Sequence, residues 1–281
     1  MAFEVLRLSA FPDGTGGGNP AGVVLDARGL DAEAMLAVAA EVGYSETAFL
    51  VPRAEPRAYD VRYFAPSAEV PFCGHATIAA AVAVAERDGL GPLAFHCAPG
   101  RIGIDTAGGD ETILATLTSV SPSVEALPAD LLASVLVALG WREEELDAAL
   151  PPRIAFAGAR HLVLAAATRE RLAALDYDFD ALGALCGEHG LVTVVLVWRQ
   201  DALTFHVRNP FPYGGVVEDP ATGAAAAALG GYLRARGLVA PPVELTLLQG
   251  VYRGRPSRLS VGIDPGAGGV RVSGGAVAIR G

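Results

Sequence analysis

Among the carboxylates and histidines of this sequence, three that lie in short motifs are candidates to carry or steer a proton. Glu46 stands in Ser45-Glu46-Thr47-Ala48-Phe49, a carboxylate just before an apolar strand. His75 stands in Glu69-Val70-Pro71-Phe72-Cys73-Gly74-His75-Ala76, and Asp219 in Glu218-Asp219-Pro220-Ala221-Thr222-Gly223-Ala224-Ala225. A carboxylate partly withdrawn from water has its pKa raised towards working pH, where it can both take and return a proton. The glycines Gly74 and Gly223 open helices, whose first N–H groups lack intrahelical acceptors and carry the positive end of the dipole. A glycine there lets a ligand approach the backbone closely. Two such starts suit a carboxylate or an enolate-like oxyanion, with no metal or organic cofactor. Asn19, in a tight Asn-Pro loop beside a strand end, is placed to aim its amide into a cleft.

Each of these residues also has an ordinary reading. Glu46 suits a solvated strand edge, Asn19 a turn, and Asp219 a cap before Pro220. Cys73 and His75 form a short zinc-type pair, but Cys97, Cys186, His96, His161, His189 and His206 show no matching spacing, so no metal is expected. A Cys–His nucleophile is the other option, although two residues' separation at a helix start does not assure a hydrogen bond. His161 reads as structural. The run Gly16-Gly17-Gly18 lacks the Gly-Lys-Ser/Thr ending of a phosphate loop.

The elements that must hold these groups follow from the neighbouring residues. Both glycine motifs run into Ala-rich segments without a polar face, Thr77 to Ala85 and Ala225 to Leu233. A helix apolar all round is buried on every side, and these are far short of the roughly 20 residues a membrane span needs. They stop alike, at Arg87-Asp88-Gly89-Leu90 and at Arg234-Ala235-Arg236-Gly237-Leu238. The fixed positions Glu-x-Pro-x-x-Gly-x-Ala recur in both motifs. Upstream, Val61-Arg62-Tyr63-Phe64 with Pro66 rhymes with Val207-Arg208-Asn209-Pro210. Two copies about 150 residues apart indicate two similar domains.

The 281 residues, 52% hydrophobic and 19% charged, supply ample cores for two medium domains. A net charge of −10 without a basic cluster argues against nucleic acid and anionic membrane surfaces as partners. Three cysteines without framework spacing argue against a disulfide scaffold. The N-terminus lacks a signal peptide, so the expectation is a soluble, cytoplasmic protein. Asp31 to Val42 reads as a helix stopped by Gly43, Ala129 to Leu139 as another, and Arg142 to Leu150 as a further candidate. Short strands fill most of the remainder, the last at Ala276 to Arg280. The fold class expected is α/β (α+β): two pseudo-symmetric domains, each a curved mixed sheet wrapped round a central helix. The boundary is placed in Ser121 to Pro128. The domains are 1–120, completed by a C-terminal strand at about 270–281, and 121–269.

Four motifs, taken together and in order, carry a resemblance. Asn19-Pro20-Ala21-Gly22-Val23-Val24, Ser45-Glu46-Thr47-Ala48-Phe49, the run from Arg62 to Thr77, and Glu218-Asp219-Pro220-Ala221-Thr222-Gly223 resemble the PhzF-like (phenazine biosynthesis) isomerase family of the diaminopimelate epimerase-like superfamily. The resemblance spans essentially the whole chain. It implies an active site between two domains, a homodimer, and cofactor-free proton transfer on a small carboxylic acid. It assigns catalysis to Glu46 as acid/base, with His75 and Asp219, and substrate contacts to Asn19, Cys73, Gly74, Thr222, Gly223 and Ala224.

The chain departs from the family pattern in places. Ala224 replaces a serine of the phenazine enzymes, removing one hydroxyl donor, and Asn209-Pro210-Phe211-Pro212-Tyr213 replaces an Arg-x-Phe form. Diaminopimelate epimerase uses cysteines at both helix starts, whereas the second motif here offers Asp219. Besides the isomerase, the readings that stand are a family member without chemistry that binds a small acid or a protein, and a two-base amino-acid epimerase using Cys73.

Overall fold

The computed structural model describes residues 3–109 and 112–279. Arg280, the end of the expected last strand, lies outside them. Contacts divide the chain into two compact units: residues up to Thr118 together with Ser273 onward, and Ser119–Val272. Among the described residues no helix is long and apolar enough to cross a membrane.

The first unit runs β1 (Leu6–Ala10), β2 (Asn19–Val24), α1 (Ala32–Val42), β3 (Glu46–Pro52), β4 (Ala58–Ala65), β5 (Ala68–Val70), α2 (Gly74–Asp88), β6 (Leu93–Cys97), β7 (Gly100–Gly108) and β8 (Ile113–Thr118). The pairings are antiparallel for β1–β2, parallel for β2–β3, antiparallel for β3–β4, parallel for β4–β6, then antiparallel to β8. The two parallel steps need crossovers, and α1 and α2 supply them. The chain's last strand, from Ser273 on, lies between β8 and β1, so this sheet closes on itself. Leu8 pairs with Ala278 and Ala10 with Ala276, and the hydroxyls of Thr116 and Ser273 meet at 2.8 Å.

Inside the closed sheet sits α2, with every residue from His75 to Ala85 buried. Its residues are small because strands surround it on all sides. α1 is a surface helix by contrast, capped by the Asp31 carboxylate on the Ala34 N–H and ended by Gly43 in the left-handed region at φ 70°. It packs Met35 and Ala39 against Phe49 and Phe64 on the outer face.

The second unit runs β9 (Ser123–Ala126), α3 (Ala129–Leu139), β10 (Arg153–Phe156), β11 (Arg160–Ala165), α4 (Arg169–Ala173), α5 (Phe179–Glu188), β12 (Thr193–Arg199), β13 (Thr204–Arg208), α6 (Gly223–Ala235), β14 (Val243–Gln249) and β15 (Ser257–Ile263). Its pairings repeat the first unit's order: β10–β11 antiparallel, β11–β12 parallel, β12–β13 antiparallel, β13–β14 parallel, β14–β15 antiparallel. The crossovers are α4 with α5, and then α6. The closing strand of the chain is β16 (Arg271–Ala278).

α6 is buried at Gly223 and throughout Ala225 to Leu233. It tolerates Gly231 because a Cβ there would sit 2.3 Å from the Pro122 side chain. A second core lies outside this sheet, where α3 and α5 pack Leu131, Leu139, Leu182 and Cys186 on Leu162 and Leu196.

The segment 121–128, in which the boundary is placed, holds β9, paired with β10 from Ser123↔Phe156 to Ala126↔Arg153. One local expectation changes. Arg142 to Leu150 forms only a 3₁₀ turn at Glu143–Glu145, because Leu146 turns extended and bridges to Ala166, with the Asp147 N–H on the Ala165 carbonyl at 2.8 Å.

Candidate active site

Glu46 is the first residue of β3, opposite Ala21 of β2. The fit depends on the next pair, Gly22 and Thr47. A Cβ on Gly22 would lie 2.6 Å from the Thr47 hydroxyl oxygen, so the glycine allows β2 to approach and fixes where β3 begins. Asn19 opens β2 and is 2% exposed. Cys73 is the N-cap of α2 and His75 lies in its first turn; both are buried.

These four side chains meet around the imidazole. The Asn19 amide nitrogen lies 3.2 Å from His75 Nδ1 and donates to it. That leaves the proton on Nε2, which faces Glu46 Oε2 at 3.3 Å and Ser45 Oγ at 3.3 Å. Cys73 Sγ is 3.4 Å from Nδ1, so the thiol does reach the ring despite its proximity in sequence. The Glu46 side chain keeps 17% of its surface exposed, against 7% for His75, so the carboxylate is the member that meets solvent.

Behind the ring, the Thr77 hydroxyl donates to the Cys73 carbonyl at 2.7 Å, and the Tyr63 phenol donates to the Thr77 oxygen at 2.6 Å. Complete burial pushes the Tyr63 phenol well above its ordinary value and keeps it a donor. This chain of bonds pins the first turn of α2, where the N–H groups of Gly74, His75 and Ala76 have no intrahelical acceptor.

In the second unit, Asp219, Thr222, Gly223 and Ala224 lie together at the start of α6, whose N-cap is Thr222. The Thr222 hydroxyl donates to the Asp219 carboxylate and receives from the Asn209 amide. The Asp219 N–H donates to the Asn209 carbonyl at 3.0 Å. Gln249, at the end of β14, spans the turn. Its Nε2 donates to the Asp219 carbonyl at 2.7 Å and to Thr222 Oγ1 at 3.1 Å, and its Oε1 accepts from the Thr222 N–H at 3.4 Å. Below the turn, the buried Arg208 forks onto Glu218 at 2.6 Å and bonds the Ala173 carbonyl at 2.8 Å. The first unit has the same fork in the open, Arg62 onto Glu69 at 2.7 and 2.6 Å.

The structure thus gathers Asn19, Glu46, Cys73, Gly74 and His75 in one unit, and Asp219, Thr222, Gly223 and Ala224 in the other. Ser45, Asn209 and Gln249 join them without having been assigned a role from the sequence. Ser45 was adjacent to the acid in a quoted motif. Gln249 carries no local signal, since only the parallel pairing Val207↔Gln249 brings it to the turn.

A family model described as phenazine biosynthesis-like protein (PhzC-PhzF) matches residues 8–281. An isomerase of Mesorhizobium japonicum, itself described as uncharacterized, is 34% identical, covering 86% of this chain and 84% of its own. The trans-2,3-dihydro-3-hydroxyanthranilate isomerase of Pseudomonas chlororaphis is 32% identical over 89% of this chain and 86% of its own. The crystal structure of a Bacillus anthracis protein of the PhzF family superposes with a TM-score of 0.89 at 23% identity, covering 100% of this chain and 98% of that one. The fold extends to hydroxyproline epimerase and proline racemase structures. The chain belongs to the phenazine biosynthesis-like protein family, and it is an enzyme of the isomerase class.

Proposed function

We propose that the protein is a cofactor-independent isomerase that moves a proton on a small carboxylic acid, with Glu46 as the proton carrier. The observation that carries this reading is the carboxylate at the head of β3, largely enclosed yet open to solvent, 3.3 Å from an imidazole whose other nitrogen Asn19 holds. Fixing the tautomer keeps an Nε2–H donor on the carboxylate. Glu46 then takes a proton from carbon as a base and returns it to a different position as an acid, with no second carrier required. The negative charge that develops on the substrate is met by the open N–H groups at the start of α2. Asp219 and Thr222 hold polar groups of the substrate in this reading, as do Gly223 and the backbone at Ala224.

A substrate related to the dihydro-hydroxyanthranilate of the Pseudomonas chlororaphis enzyme supplies the needed features: a carboxylate and an activated C–H within one small ring. Ala224 gives no hydroxyl to such a molecule, so a ring lacking the matching acceptor fits better. The test is deuterium uptake from solvent into a panel of cyclic and amino carboxylic acids by the chelator-treated enzyme. Uptake by wild type that disappears in Glu46→Gln, with ligand binding kept, is the expected result. Full uptake in Glu46→Gln, removed instead by Cys73→Ser, would defeat the assignment and favour a thiol base, for which the 3.4 Å approach of Cys73 to His75 is the supporting contact.

A further inference from the structure

We infer that Phe11 is a positioning residue of the active site: its ring, seated against the closing strand β16, holds Asn19 where its amide meets His75. Phe11 directly follows β1 and takes a φ of 58°, in the left-handed region where a bulky residue is an outlier. Backbone strain of this kind persists only where the surroundings impose it, and it gathers at functional sites. Two contacts impose it here. The Phe11 N–H donates to the Gly275 carbonyl at 2.8 Å. The ring fills the place of a side chain at Gly274, where a Cβ would lie 2.1 Å from Phe11 Cδ1, and Phe11 is 1% exposed.

The turn that begins at Phe11 ends on Asn19. Ala10 pairs with Asn19 across β1 and β2, and with Ala276 across β1 and β16. Gly18 is pressed onto the same place: its φ is 85°, and a Cβ there would lie 2.6 Å from the Ala10 carbonyl oxygen and from Ser9 Oγ. Ser9 Oγ donates to the Gly17 carbonyl at 2.6 Å. Gly14 and Gly16, between these anchors, also have positive φ, and a Cβ at either would meet nothing within 4 Å. Such a stretch has little stiffness of its own. The position of Asn19 therefore comes from the two ends of the turn, and Phe11 is the end tied to β16. From there Asn19 Nδ2 reaches His75 Nδ1 at 3.2 Å, and Nε2 carries the proton that faces Glu46. With the anchor removed, Asn19 shifts and the imidazole divides between its two tautomers. The carboxylate then loses its donor in part of the molecules.

The consequence for catalysis rests on Glu46 as the proton carrier, whereas the effect on the histidine does not. Long-range proton–nitrogen NMR of histidine-labelled full-length protein reads the tautomer, the His75 signal being assigned by its loss in His75→Gln. The expected result is the Nε2–H form in wild type and in Phe95→Leu, which trims an equally buried ring on β6. Phe11→Leu and Phe11→Gly should each show a mixture. Phe11→Gly relieves the backbone while deleting the ring, so a loss there comes from the missing anchor and not from strain. Its kcat for deuterium exchange should fall about tenfold or more, exceeding any change in KM, as small displacements at a reacting centre do. Should Phe11→Gly fail to fold, Phe11→Leu decides on the same readouts. An Nδ1–H form in wild type, an unchanged tautomer in the folded Phe11 variant, or an equal mixture in Phe95→Leu overturns the proposal. A tautomer lost on replacing Phe11, in a protein whose wild type exchanges no deuterium, upholds the anchor and counts against the proton-carrier reading alone.

Discussion

At the head of α2 the chain presents Cys73, Gly74 and His75; at the corresponding head of α6 it presents Thr222, Gly223 and Ala224. The backbone is alike at both caps, extended at φ −141° for Cys73 and −120° for Thr222, and neither cap side chain bonds the helix N–H groups. The strand pairs beside them also correspond. In the first unit the parallel pair opens with Ala21 opposite Glu46, and in the second with His161 opposite Thr193. The position of the acid is thus taken by a threonine, whose hydroxyl lies 2.7 Å from Nδ1 of a completely buried histidine. One topology therefore carries a titratable centre in one copy and hydroxyl and amide groups in the other. The frame is shared, and the side chains on it differ.

The sharpest way to break this comparison is at the acid. Glu46→Gln should lower deuterium exchange by about 10²–10⁴, while Thr193→Val in the equivalent place should leave the rate within a few-fold. Equal losses, measured by mass spectrometry of the substrate, would show that the two strand heads are not differently employed.

The Arg–Glu forks divide the copies again. Removing Arg208 strands the Glu218 carboxylate in the interior, and a broken buried pair costs about 3–5 kcal/mol. Arg62→Ala breaks an exposed pair worth about 0–1 kcal/mol. Urea unfolding of Arg208→Ala and Arg62→Ala measures both, and similar losses would overturn the contrast.

Burial pushes the His161 imidazole down from its ordinary 6.5 to about 4. The unfolded chain therefore takes up the proton first as pH falls, so this contribution is whole at pH 7 and is lost between about 6.5 and 4. Its size is about 3 kcal/mol at the acid end. His161→Gln should flatten that part of the pH–stability curve relative to wild type, and a parallel curve would count against it.

A local effect is expected of Gln249→Ala. It leaves the chemistry of Glu46 untouched and loosens the Asp219–Thr222 turn, with a loss of about 1–3 kcal/mol from unsatisfied buried groups. A rise in KM exceeding the change in kcat would mark it as a positioning residue; unchanged kinetics and stability would remove it from the turn's support.

Much of this was legible in the sequence because its signals are local. Ala-rich runs without a polar face mark α2 and α6, and the Glu-x-Pro-x-x-Gly register marks their heads. Glu46 and His75 were both nominated, but their 3.3 Å contact is non-local and depends on where β3 starts beside β2. Asn209 lies in a quoted segment that gives no sign of its contacts, and the role of Gln249 depends on strand pairing and is carried by no motif. Ser123 to Ala126 carries no strand signal, since an edge strand of four mostly exposed residues needs no apolar alternation. The acidic run after Trp141 looks helical by propensity, and the non-local pairing of Leu146 with Ala166 decides otherwise.

The closing strand of the first unit bears on how the chain is made. Residues Ser119–Val272 form an uninterrupted unit, whereas the sheet around α2 waits for Ser273 and beyond to seal the gap beside β1. On a ribosome the second half can therefore mature while the earlier-born half is still an open sheet, its β1 edge unpaired. Long-range closure of this kind folds slowly, and an open edge is a template for foreign strands. The segment from Ser273 on decides when the cradle of the proposed proton carrier becomes a closed structure.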